Sequence, residues 1–246
     1  PHTTVESPVV DVVTTAEVDV RLLNEWQSRY AMWHEKVFVD TTTPTPTGQQ
    51  QHVLETIHYR TIKENYELLQ EDYAAIWQAK PANVHVDMPL IRVIHGLPGS
   101  GKSRLLLWIK DYFEEVWEWE LNNQFAIVAP QNSMADNVGG TTLHSFGGIP
   151  FKDRRGITVN AVDIMDEDKQ TLSGKKWHNL RFLFVDEVEA TGVELLGQIQ
   201  TKLQTLVPQP YDIIPGLRTP LHPQRQKEHL FGGVNALFFG DFWQMD

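Results

Sequence analysis

The stretch His95-Gly96-Leu97-Pro98-Gly99-Ser100-Gly101-Lys102-Ser103 constrains this chain more than any other part of it. From Gly96 it fits G-x-x-x-x-G-K-[ST], a loop whose backbone N–H groups cradle phosphates. Its flanks have the order such a cradle needs. Before it, Leu90-Ile91-Arg92-Val93-Ile94 is a short apolar run suited to a buried parallel strand. After it, Leu105, Leu106, Ile109, Phe113 and Val116 recur at helical spacing. The glycines let the backbone curl around phosphates, and the helix N-terminus adds its partial positive charge. Gly96, Gly99, Ser100, Gly101, Lys102 and Ser103 are the candidate nucleotide ligands. Lys102 would reach the β- and γ-phosphates, and the Ser103 hydroxyl would complete the coordination of Mg2+.

At 246 residues the chain can bury a sizeable core, as one large domain or one domain with an appended part. No apolar run approaches the ~20 residues of a membrane span, and no N-terminal secretion signal is visible. With no cysteine, disulfides and cysteine-based zinc or redox sites are excluded, which suits an intracellular protein. The chain opens on proline and stops soon after Gln244, so it reads as a piece of a longer polypeptide. A net charge of −11 argues against coating duplex DNA by bulk electrostatics, but leaves room for a narrow single-strand groove. Residues 1–90 carry 6 basic against 13 acidic side chains, and residues 91–246 carry 15 against 19. The half that holds the loop is the less acidic one. No pair of the ten histidines has metal-ligand spacing.

Val20, Leu23, Trp26, Tyr30 and Trp33 predict a helix over residues 16–39. Pro44 and Pro46 break the pattern, so residues 41–48 read as a linker. A second helical tract over 51–79 would bury Leu54, Ile57, Tyr66, Leu69, Tyr73 and Ile76. The aromatics Tyr59, Tyr66, Tyr73 and Trp77 fit a core better than a stacking surface. From residue 91, strands alternate with helices, the mark of a parallel sheet covered on both faces. Strands are expected at 125–129, 182–185 and 235–239. The helix at 192–206 would bury Val193, Leu196, Ile199, Leu203 and Leu206. Residues 207–230 read as an irregular insertion. The division is therefore a mainly helical segment over 1–80 and an α/β domain over 81–246. In open parallel sheets ligands bind at the carboxyl ends of the strands, where the loop, Pro130, Asp186-Glu187 and Gly240-Asp241 all fall.

An acid at the end of an apolar strand behind a phosphate loop can hold magnesium, which assigns Asp186. Glu187 beside it can accept a hydrogen bond from water and aim it at the γ-phosphorus. The competing cluster Asp166-Glu167-Asp168 follows no strand and reads as a solvated loop. Between residues 129 and 149 lie small hydroxyls, an imidazole, an aromatic ring and several glycines just past a strand. Pro130, Thr142, His144, Ser145 and Phe146 could hold one nucleic-acid strand, with a ring under a base. A helix cap followed by a turn explains the same residues equally well.

These residues also carry a resemblance. The loop from Gly96 to Ser103, Thr142-Leu143-His144-Ser145-Phe146, Val185-Asp186-Glu187-Val188, and Phe231-Gly232-Gly233 with Phe239-Gly240-Asp241-Phe242-Trp243-Gln244 resemble motifs I, Ia, II and III of superfamily 1B DNA helicases. The closest pattern is the petite-integration-frequency (PIF-type) group, including the helicase domains of Helitron transposons. The likeness covers residues 90–246, the first of two RecA-like motor domains. It implies a P-loop NTPase with a RecA-like parallel sheet and helices on both faces. It implies ATP and Mg2+ at Gly101, Lys102, Ser103 and Asp186, with water activation by Glu187. Gln244 would sense the γ-phosphate, while Thr142, His144 and Ser145 would line a single-stranded DNA track. The family has an adenine-reading glutamine upstream of motif I, for which Gln70 stands at a suitable distance. It further implies 5′ to 3′ translocation, nuclear or mitochondrial residence in a eukaryote, and a second motor domain beyond residue 246 that supplies arginines to the γ-phosphate. On that expectation residues 1–246 alone hydrolyse little ATP.

The chain departs from the pattern in places. Gln131-Asn132 and Ala135-Asp136 stand where the family has Thr-Gly and a pair of alanines, and Val188-Glu189-Ala190 replaces Ile-Ser-Met. These departures keep open a rival reading, a degenerate nucleotide-binding module of a transposon-derived or assembly protein without motor activity. A P-loop kinase or GTPase fits less well, since no N-K-x-D guanine signature is present.

Overall fold

The apolar residues of the central strands alternate between two faces, and that alternation places helices on both sides of the sheet. The computed structural model describes residues 15–64, 89–149, 151–152, 158–159, 177, 179–206 and 229–241. Strands β1 (Ile91–His95), β2 (Phe125–Ala129), β3 (Thr141–Thr142), β6 (Phe182–Val185) and β7 (Asn235–Gly240) form a five-stranded parallel sheet in the order β1-β7-β6-β2-β3. β4 (Phe151–Lys152) and β5 (Thr158–Val159) make a separate antiparallel pair. The sheet and its helices are the α/β architecture that the sequence predicts.

Phe125, Ile127, Phe182, Phe184, Leu237 and Phe239 face one helical layer. That layer contains α1 (Thr15–His34), α2 (Gly48–Glu64) and α3 (Lys102–Asp111). Phe113 is its hub, with ring centroids 4.9 Å from Trp119, 5.0 Å from Phe182 and 5.1 Å from Phe125. Ala126, Val128, Leu183, Val185, Ala236 and Phe238 face the other way. They meet α5 (Leu143–Gly147), which follows the short α4 (Asn132–Asn137), together with α6 (Val193–Leu206) and the 3-10 turn Leu230–Gly233.

The N-terminal helices are joined to the sheet's own core. α1 and α3 each run into a π-helical turn, Glu35–Val39 and Tyr112–Val116. Arg29 Nε donates to the Val116 carbonyl at 3.1 Å, and Lys36 pairs with Asp111 at 2.9 Å and with Glu115. At the other end of α2, Arg60 pairs with Glu64 in the interior. Asn235 donates to Glu64 at 2.9 Å and accepts from the Leu90 N–H at 2.8 Å. A buried charge is tolerated only when paired and hydrogen-bonded, and this knot meets that condition while fixing α2 to the start of β1 and β7.

Three expectations change. β1 borders the sheet among the described residues, with Arg92 exposed and Val93 59% exposed, because β7 covers only one of its edges. Val193 is 87% exposed; Ile199 and Leu203 carry the buried face of α6. The helix predicted from residue 51 starts earlier, at Gly48. Its continuation beyond residue 64, the acids at 166–168 and most of the insertion at 207–230 lie outside the described residues. No helix among the described residues is long and apolar enough to cross a membrane.

Candidate functional site

Strand register brings the chemistry together. His95 pairs with Gly240, Phe238 with Val185, and Val185 with Val128, so all these strands end at one border. The Gly96 loop, Asp241, Asp186 and Pro130 each follow directly from that border.

The loop's path needs glycine where it enters α3. Gly99 and Gly101 have φ of 75° and 85°, in the left-handed region that side chains resist. Gly101 caps α3, and Ser103 stands exposed in its first turn, where helix N–H groups are unpaired. Lys102 Nζ donates to the carbonyl of Gly96 at 2.7 Å, so its charge lies across the loop mouth. The Gly96 N–H donates to the Gly240 carbonyl at 3.3 Å, tying the loop to the end of β7. Donors, helix end, lysine and hydroxyl together fit a nucleotide's phosphates.

At the end of β6, two strands from β1, Asp186 is 4% exposed. Burial raises its carboxyl above the ordinary range, opposed by the Glu187 N–H, which donates to Oδ1 at 3.1 Å, and by the Lys102 charge. A buried carboxylate that already faces an ammonium suits a divalent cation, and Ser103 lies in the same loop–helix unit. Glu187 sits at φ 50°, turning the chain into the 3-10 turn Val188–Ala190. A hydrogen bond with Glu189, then burial, then the charges of Glu189 and Asp186 push Glu187 up to about 7. Glu189 takes the opposite share: burial works against its ionisation, but the bond from Glu187 and the nearby Lys102 hold it low.

The structure adds a residue that the sequence reading passed over. Gln50 Nε2 donates to the carbonyls of Ser100 at 3.2 Å and Gly101 at 3.3 Å, while its Oε1 accepts from the Thr47 N–H at 2.9 Å. With the oxygen engaged by Thr47, the amide nitrogen must face the loop. The sequence signal was there: Thr47-x-x-Gln50 is a capping box, and its reciprocal bond runs from the Gln50 N–H to Thr47 Oγ1. A cavity of about 370 Å³ opens between the start of α2, β1 and the loop, lined by Thr47, Gln50, Val53, Arg92, His95 and Lys102 among others. Gln70 and Gln244 lie outside the described residues.

The proposed DNA track is only partly brought together. Pro130 is half-buried at the end of β2, Ser145 is exposed, and burial lowers the half-buried His144 imidazole. The Thr142 hydroxyl accepts the Ser145 N–H at 3.1 Å, so it caps α5 as the structural alternative had it. Phe146 is a correction. It is 2% exposed and packs on Trp177 with centroids 5.3 Å apart, because the α5 turn points it into the sheet's core. In this structure it is a core ring and offers no face to a base.

These features define a P-loop nucleotide-binding domain of RecA-like α/β architecture. No family model matches the chain. Among curated proteins it is similar to ATP-dependent DNA helicase PIF1 of Saccharomyces cerevisiae, 27% identical over 150 residues, which is 61% of this chain and 15% of that protein. It is also similar to ATP-dependent DNA helicase PIF7 of Trypanosoma brucei brucei, 30% identical over 152 residues, 61% of this chain and 12% of that one. Unliganded Pif1 from Bacteroides sp aligns over 82% of this chain and 33% of its own, with 21% identity and a TM-score of 0.48. The resemblance read from the motifs is therefore found again in relatives that carry the PIF helicase name. The chain spans only a small part of those relatives' length.

Proposed function

We propose that this chain is the nucleotide-binding motor domain of an ATP-dependent DNA helicase, and that ATP hydrolysis in it drives 5′ to 3′ movement along single-stranded DNA. The observation that supports this most is the shared border of the loop bearing Lys102 and the strand end bearing Asp186 and Glu187. The first two curated relatives, covered here over 15% and 14% of their length, are both named ATP-dependent DNA helicase.

In this reading the loop N–H groups and the α3 N-terminus hold the terminal phosphates, and Lys102 turns from the Gly96 carbonyl to face them. Ser103 and Asp186 would hold Mg2+, which spreads the charge developing on the phosphoryl oxygens. Glu187 accepts a proton from the attacking water, and a carboxyl near 7 suits that role at neutral pH. Gln50 and the cavity beside it take the base end of the nucleotide, in place of Gln70. Gln244 senses the γ-phosphate. Pro130, Thr142, His144 and Ser145 form the DNA-facing rim, which leaves Phe146 out of it.

The test is ATP hydrolysis by the protein carrying this sequence, with and without an oligothymidine strand. Several-fold stimulation by the strand is expected. ATP binding without any stimulation would leave a nucleotide-binding module and remove the motor.

A further inference from the structure

Lys202, on α6, is a half-buried cation that no step proposed above uses. Its Nζ donates to the carbonyl of Gly147 at 2.7 Å and to that of Gly148 at 3.3 Å. These acceptors close the C-terminal end of α5, where helix carbonyls lack partners and partial negative charge gathers. One turn earlier on α6, the fully buried Ile199 sits so close that a Cβ at Gly147 would come within 2.4 Å of its Cδ1. Burial lowers the Lys202 ammonium, as suits a stem laid along apolar surface with its head on backbone oxygens. The segment held in this way carries His144 and Ser145. Its start is fixed by Thr142, whose hydroxyl accepts the Ser145 N–H at 3.1 Å. Its end turns at Gly148, with φ 54°, where the Ile149 N–H donates back to the His144 carbonyl at 2.9 Å. Both of those bonds stay within the segment. Leu143 and Phe146 add apolar burial, which holds the segment down without fixing its direction.

We infer that Lys202 is a positioning residue for strand binding: by clasping the carbonyls of Gly147 and Gly148, it sets the turn bearing His144 and Ser145 against α6. The inference rests on the DNA-facing rim proposed above. α6 is the helix that follows the Asp186–Glu187 strand end, so the clasp joins the rim to the element next to the proposed hydrolytic carboxyls. The two bonds are charge-assisted and directional, and they tie the polar end of α5 to a separate helix. Lys202 spends its donors on backbone oxygens, and acts on a bound strand through the turn. Methionine at 202 keeps an apolar stem of similar length and removes the donors. Arginine keeps the charge and the donors.

The experiment titrates a fluorescein-labelled oligothymidine with the protein carrying this sequence and with Lys202→Met and Lys202→Arg, read by anisotropy at several salt concentrations. Lys202→Met is expected to weaken strand binding about tenfold, the worth of a lost hydrogen bond to a charged group. Lys202→Arg should recover most of it, and affinity for a fluorescent ATP analogue should stay within about twofold in both. The slope of log affinity against log salt separates this role from direct contact. A positioning residue leaves the slope unchanged, whereas loss of a phosphate contact on a single strand flattens it by about 0.7. Amide hydrogen exchange over residues 143–149 should quicken in Lys202→Met and slow again in Lys202→Arg. Native strand affinity in Lys202→Met, equal loss in both variants, a flattened slope, or unchanged exchange over 143–149 each overturns the inference. If the native protein itself binds no oligothymidine, the rim reading fails on its own count and takes this role with it.

Discussion

The side-chain amide of Gln50 lies 3.3 Å from the carbonyl of Gly101, at the point where the phosphate loop becomes α3. A Cβ at Gly101 would come within 2.6 Å of that same nitrogen, so glycine and glutamine fit one another closely. The helix bearing Gln50 is fixed at its far end by the Glu64–Asn235 bond and is thus held at both ends of the sheet.

Gln50→Ala should weaken binding of a fluorescent ATP analogue by roughly three- to tenfold, the worth of about one net hydrogen bond. Titration of Gln50→Ala and Gln70→Ala side by side checks this. A larger loss in Gln70→Ala would return the base-reading role to Gln70.

Asp186 and Glu187 should separate on mutation, because one is placed to hold metal and the other to position water. Asp186→Ala should weaken magnesium-dependent nucleotide binding. Glu187→Gln should keep binding and block turnover, since an amide fills the space but is a far poorer proton acceptor. Equal loss of affinity in the two variants would refute this division.

Much of this site was legible in the sequence, and what was not has physical causes. The loop and the strand ending at Asp186 announce themselves through local pattern, because backbone geometry there depends on neighbours in sequence. Gln50 reaches the loop only through tertiary packing, and the capping box that starts its helix is a local cue that says nothing of the partner. Phe146 shows the limit from the other side. A ring two positions after His144 reads equally as surface or core until the turn of α5 is known. The edge position of β1 was hidden because a parallel neighbour can come from anywhere later in the chain, and here it is β7.

Phe146→Ala should therefore act on stability. Removing a buried aromatic from the cluster with Trp177 should cost about 3–5 kcal/mol of unfolding free energy. Urea denaturation measures it. A stable Phe146→Ala protein with selectively weakened single-strand binding would put the ring back in the track.

His58 supplies a pH test of the N-terminal layer. It stacks on Tyr30 with centroids 4.4 Å apart, and its Nδ1 lies 2.9 Å from the Tyr112 hydroxyl. Burial, with a smaller push from His34, lowers its pKa from 6.5 to about 4. In that window the unfolded chain binds the proton and the folded one does not, so stability falls as pH drops from 6.5 towards 4. The full effect is roughly 3 kcal/mol. Urea midpoints of the wild type and His58→Gln over this range should converge at low pH. Parallel curves would show that His58 takes up its proton without unfolding.

The central claim is that Lys102 and its loop form an ATP site that turns over. The most direct measurement is Mg-ATP hydrolysis by the protein carrying this sequence, wild type against Lys102→Ala, with circular dichroism recorded on both. The account predicts that the substitution abolishes hydrolysis and leaves the spectrum unchanged. Substantial hydrolysis by Lys102→Ala with an intact spectrum would contradict it.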